Sequence, residues 1–272
     1  SKSEISIKPS FYLMNLTFDS TRSITPEERF TRILKVKNDS LTKFETNPPL
    51  KDFTVLNYEN NENNVVKINL MWQSIHRFWK PDDLSYDFIY EAQFGFIILD
   101  FAKQKALISC HTRFVRDLLA QALNEAFSIK LNPLVLTQKL LDQIGSFDRV
   151  KRAKYFIPSD DPNTPSNITY ADERLASKPI AKQEESNARS QRKQSFYRIP
   201  LGSIQEQGIG VTSDSGKVWI PRETNLQTVS EYGIELLGKI TNTLKRMSDD
   251  GEVEDVLKTL NLPNLPEISE IL

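Results

Sequence analysis

The sequence predicts an α+β fold: an antiparallel sheet with amphipathic helices packed on it. Three observations carry that expectation. Short runs rich in aromatic and branched residues recur between turn signals, as strands do. Two longer stretches place apolar residues at helical spacing. Both of those stretches follow a strand–turn–strand pattern, at Phe94–Cys110 and again at Gly208–Ile220. The recurrence reads either as two related ββα units or as the hairpin-then-helix order common in α+β proteins.

Taken in order, Phe11–Phe18 opens the chain as a strand. Thr25-Pro26-Glu27-Glu28 supplies a cap, a proline at the first helical position and a glutamate three residues after the cap. Phe30, Ile33 and Leu34 give the following helix an apolar side. Asn47-Pro48-Pro49 breaks the pattern, Asn57–Asn64 reads as a polar loop, and Val65–Trp72 resumes a strand. Phe94–Phe101 and Ala106–Cys110 form a hairpin. Thr112 then caps a helix whose buried face is Phe114, Val115, Leu118, Leu119, Ala122, Leu123, Ala126 and Phe127, with Asn132-Pro133 as its stop. Leu136–Ile144 reads as a short helix, and Val150–Ile157 and Asn167–Leu175 as strands. Ser177–Gln194 is a solvated helix or a loop, and Phe196–Ile199 returns to strand. Asn225 caps the second long helix, with Leu226, Val229, Leu236, Leu237, Ile240, Leu244 and Met247 facing inward. The organisation expected is a mixed segment 1–91, an α+β core 92–247 and an acidic tail 248–272.

The net charge of −1 hides an asymmetry. Residues 149–198 hold eleven Lys/Arg against six Asp/Glu, and residues 247–272 hold one Lys against seven Asp/Glu. In the basic middle, Arg149, Lys151, Arg152 and Lys154 precede Tyr155, while Arg189, Arg192, Lys193 and Arg198 surround Phe196 and Tyr197. Cations that contact phosphates beside aromatics that stack on bases suit a nucleic-acid surface, and a solvated basic face has the same composition. The acidic tail carries Val253, Val256, Leu257 and Leu260 on one side of a short helix. So small a face must dock on its own domain, on a partner, or over the basic middle.

Other chemistry finds little support. One cysteine, Cys110, and two histidines, His76 and His111, exclude a disulfide framework and a Cys- or His-rich metal centre. Gly210–Val218 imitates a phosphate loop with a five-residue spacer and no hydroxyl after the lysine. Asp100-Phe101-Ala102-Lys103 is one residue longer than the (D/E)-x-K spacing of a metal-dependent nuclease, with Asp82 the nearest second carboxylate and Asp172-Glu173 a weaker alternative. Cys110 and His111 are adjacent on a strand and point to opposite faces. His76 sits in an aromatic run between Trp72 and Trp79. No cofactor or metal is expected, no apolar run is long enough for a membrane helix, and the setting expected is cytoplasmic. The leading expectation is a non-catalytic nucleic-acid-binding subunit of a larger assembly with a protein partner, handling DNA rather than RNA, in DNA processing or defence against foreign DNA. The alternative is an adaptor that uses the acidic tail and surface aromatics to hold a protein. A metal-dependent nuclease built on Asp82 and Asp100 is third.

Overall fold

The computed structural model describes residues 10–18, 27–43, 50–61, 64–144, 152–156, 160–165, 167–172, 174–188, 192–201, 204–212, 216–220 and 225–261. The fold is α+β, and its described strands pair antiparallel. Two compact units form: Leu16–Leu131, and Ser1–Asn15 together with Asn132–Leu272. The divisions fall between residues 15 and 16 and between 131 and 132.

The unit Leu16–Leu131 holds the end of β1 (Ser10–Phe18), α1 (Glu27–Lys43), β2 (Leu50–Asn60), β3 (Val65–Lys80), β4 (Ser85–Asp100), β5 (Lys105–Ile108), α2 (Arg113–Phe127) and the start of β6 (Ile129–Pro133). Its strands run in the order β2-β3-β4-β5. The pair β3–β4 keeps one register from Val65 opposite Asp100 to Lys80 opposite Ser85. The proximal half of that pair is core: Ile68, Leu70, Trp72 and Phe96–Leu99 are buried. Trp72 stacks on Phe53 at 5.7 Å, and Gly95 leaves room for its indole beside the backbone. A Cβ at Gly95 would sit 2.5 Å from the Ser109 carbonyl oxygen and 2.7 Å from the indole ring.

Three strand expectations need correction here. The segment Asn57–Asn60 is strand rather than loop, because Asn69 Nδ2 donates to Asn57 and Glu59 across the β2–β3 pair and satisfies the polar side chains. Strand β3 continues eight residues past Trp72, and β4 begins nine residues before Phe94. The distal halves are exposed on both faces, so they lack the apolar/polar alternation that marks a half-buried strand.

Helix α2 starts as expected, with the Thr112 hydroxyl accepting from the Val115 N–H at 3.3 Å. It ends earlier than Asn132-Pro133. Ser128 adopts φ +53° and its N–H returns to the Asn124 carbonyl, which releases the chain into β6. The expected face is buried except for Phe114, which is 39% exposed. Phe30 of α1 packs on Phe127 of α2, with ring centroids 6.3 Å apart.

The second unit holds the start of β1, α3 (Gln138–Ile144), β7 (Arg152–Phe156), β8 (Asn167–Ala171), α4 (Pro179–Ala188), β9 (Arg192–Leu201), β10 (Ile204–Thr212), β11 (Lys217–Trp219), α5 (Leu226–Asp249) and α6 (Val253–Leu260). Strand order is β1-β11-β10-β9-β7-β8. Strand β8 stops before Leu175 because the Asp172 carboxylate takes the Arg174 N–H at 2.7 Å and turns the chain into one 3-10 turn. Residues 179–188 are helix, with Ala181 buried. The Asn225 side chain accepts from the Thr228 N–H at 2.8 Å, capping α5 as expected. Hairpin-then-helix therefore occurs in each unit, as β4–β5–α2 and as β10–β11–α5.

Helix α6 docks on its own unit. Val256, Thr259 and Leu260 are buried, the Val135 N–H donates to the Thr259 carbonyl at 2.9 Å, and Lys139 of α3 bridges Glu252 and Asp255 at 3.0 and 2.9 Å. Residues 262–272 of the acidic tail lie outside the described residues.

Leu118→Ala and Leu236→Ala should each lower the unfolding free energy by about 2–5 kcal/mol in urea denaturation, since both side chains are buried. Deleting residues 248–272 removes Val256, Thr259 and Leu260 from the core and should lower the melting temperature markedly. An unchanged melting temperature would show α6 to be dispensable.

Candidate nucleic-acid interface

Basic character concentrates where β7 and β9 lie side by side. Thirty-five residues lie between them in the chain, yet the antiparallel register sets Arg152 opposite Phe196, Lys154 opposite Gln194 and Tyr155 opposite Arg192. A bulge between the Lys154 and Tyr155 rungs takes up Lys193. Arg152, Lys154, Arg192 and Lys193 thus fall on neighbouring strands within about 10 Å of ladder, at roughly 3.4 Å per residue and strands about 4.8 Å apart. Arg198 follows on β9, opposite Gly208 of β10. Tyr155, Phe156, Phe196 and Tyr197 occupy the same two strands. Arg149, Lys151 and Arg189 lie outside the described residues. Helix α4 adds exposed Lys182, preceded by exposed Arg174 and Lys178.

The competing sites resolve into structural roles. Asp82 lies in the turn between β3 and β4, and Asp100 at the far end of the same ladder. Fifteen rungs separate those ends, roughly 50 Å, so the two carboxylates cannot share a metal ion. Asp100 instead accepts the Lys103 N–H at 2.9 Å and pairs with its ammonium at 3.5 Å, closing the β4–β5 turn. Asp172 forms the turn after β8, which with Lys178 holds its carboxyl below the usual range, the Arg174 N–H acting first. Glu173 lies outside the described residues. Among the described residues no group of three His, Cys, Asp or Glu side chains could hold a metal.

Gly216 serves packing rather than phosphate. It adopts φ +61°, and a Cβ there would lie 2.7 Å from the carbonyl oxygens of both Leu13 and Leu134. The Leu13 N–H donates to the Gly216 carbonyl, so the backbone is engaged in the β1–β11 junction. Cys110 is buried and His111 is exposed. The side chain of His76 lies outside the described residues. No helix among the described residues is long and apolar enough to cross a membrane.

Two surface features escaped the sequence reading. One is an open groove of about 1110 Å³ between α1 and α2, bridged by Lys37, which pairs with Glu125 at 2.9 Å. The other is the distal β3–β4 ribbon. Its one sequence cue is the turn Pro81-Asp82-Asp83 set between aromatic-rich runs, Phe78-Trp79 before it and Tyr86–Tyr90 after it.

Lys105 is the one described lysine that is almost wholly buried, at 1% exposure. Its ammonium donates to the carbonyls of Lys103 and Gln104 at 3.3 and 3.4 Å. Burial pushes its pKa down to about 8, with the Asp100 carboxylate opposing. The unfolded chain holds this proton up to about 10.5. Between those values the unfolded state binds more protons, so stability rises with pH. The burial penalty is full below about pH 8. Relative to Lys105→Met, the wild-type protein should therefore gain up to about 3 kcal/mol between pH 7.5 and 10.5, measured by urea denaturation across that range. Parallel curves would show that Lys105 titrates normally.

A scan against protein-family models matches none of them, and a search of curated proteins returns no match.

Proposed function

We propose that the chain is a non-catalytic nucleic-acid-binding subunit of a larger assembly, with phosphates contacted from β7 and β9. The observation that carries this reading is the register: it gathers Arg152, Lys154, Arg192 and Lys193 from two sequence-distant segments onto neighbouring strands, among four aromatic residues. Helix α4 packs beside β7, and its sequence carries one cation, Lys182, with Glu184 and Glu185. A sheet that combines cations with aromatics can follow a phosphate backbone and stack bases at once. Contacts of that kind bind without strong sequence preference, which suits a subunit that holds the strand for another component.

The test is a salt titration of binding with single- and double-stranded DNA and RNA. Each phosphate contact contributes roughly 0.9 to the log–log slope on a duplex and roughly 0.7 on a single strand. The double variant Arg152→Gln/Lys154→Gln should weaken binding across all sequences and flatten the slope by about 1.4–1.8. Lys245→Gln/Arg246→Gln, on the exposed side of α5, should leave both unchanged. Equal slopes for the wild type and the β7 variant would reduce these residues to a solvated face.

A further inference from the structure

The distal β3–β4 ribbon is an exposed arm. Among the described residues β2 pairs with β3 no further than Ser74, and β5 pairs with β4 no further than Ile97. Past Ser74 the two strands continue as a pair to Lys80 opposite Ser85, then turn through 81–84. That ribbon extends roughly 20 Å at about 3.4 Å per residue.

Its surface is unlike that of the other described residues. Of the thirteen exposed large apolar side chains among them, seven fall within residues 78–90: Phe78, Trp79, Leu84, Tyr86, Phe88, Ile89 and Tyr90. Directly opposed residues share a face. Trp79 with Tyr86 and Arg77 with Phe88 therefore lie on one face, which Tyr90 continues. Trp79 meets Tyr86 edge-on at 4.9 Å, and the Arg77 guanidinium lies 3.5 Å over the Tyr86 ring. The opposite face carries Phe78 and Ile89 beside the Lys80–Asp87 ion pair. At the apex, Leu84 is 77% exposed with φ +48°, a backbone region that a glycine would occupy without strain.

We propose that this ribbon is a docking arm that inserts into a cleft of a different protein, a cleft with apolar walls and a basic floor. Area favours insertion over a flat contact. Seven large side chains about half exposed amount to roughly 700 Å². Engaging both faces would bury about 1,400 Å² in total, a standard specific interface. A second copy laid on one face covers about half of that, below what a stable dimer needs. Charge selects the chemistry of the floor. Asp82 and Asp83 lie exposed in the turn, while Arg77 is stacked on Tyr86 and Lys80 is paired with Asp87. Leading carboxylates repel a phosphate backbone and suit basic side chains. Aromatic residues and arginine are the side chains that dominate protein–protein contact energies. The apical leucine, held where glycine would relax, is the anchor.

The test uses the full-length chain in its native cells, with benzoylphenylalanine replacing Phe78 in one variant and Phe88 in another. These positions lie on opposite faces, so a cleft predicts photo-cross-links from both to one and the same polypeptide. Asp82→Lys/Asp83→Lys should reduce that yield at least tenfold. Leu84→Gly should do the same while the melting temperature holds or rises, which separates anchoring from folding. Cross-links from one face only, to a second copy, to nucleic acid or to lipid would overturn the proposal. So would no cross-link at all, or a yield indifferent to Asp82, Asp83 and Leu84.

Discussion

The contact of Trp72 with Gly95 is the constraint that the unit Leu16–Leu131 is built around. An indole laid on a strand needs a residue with no side chain beneath it, and any Cβ at Gly95 would collide with both the ring and the Ser109 carbonyl. That fit locks β3 to β4 where β5 ends, with Phe53 of β2 stacked on the outer side of the indole. The distal ribbon has no such clamp, and an isolated two-stranded ribbon is marginal in water. The arm keeps its register because a buried, wedged base sets it.

The two units carry different surface chemistries. One concentrates cations on the strand pair β7–β9, while the other presents aromatic residues at the end of a ribbon whose turn is acidic. Charge attraction from a basic strand pair is long-ranged and screened by salt, whereas burial of aromatic surface is short-ranged. The buried lysine belongs to neither: Lys105 tightens the β4–β5 turn at the cost of a desolvated ammonium.

Elements with one buried face were legible in the sequence. Helices α2 and α5, their Thr112 and Asn225 caps and the β10–β11 hairpin follow from periodicity and capping chemistry alone. The distal ribbon was not, because Gln73–Ala92 has no core to face and therefore no alternation for a periodicity argument to detect. Strand β2 was hidden for a related reason: Asn57 and Glu59 are satisfied by Asn69 across the ladder, a long-range partner that composition reads as loop. For the candidate interface, the clustering of cations at 149–154 and 189–198 was visible. The adjacency of those clusters was not, since strand register is a property of the folded sheet.

Strand β1 has a consequence for synthesis on the ribosome. Its residues Ser10–Tyr12 pair with Trp219–Lys217, so some two hundred residues must emerge before that hydrogen-bonding edge is filled. The unit Leu16–Leu131 is complete in the nascent chain long before then. Phe11 and Tyr12, both buried in the finished protein, meanwhile wait on an aromatic edge whose β11 partner is not yet made. Such edges recruit other strands. Slowed elongation between residues 131 and 217 would lengthen that wait, and the N-terminal fragment would then gain more from a holding chaperone than the finished chain does.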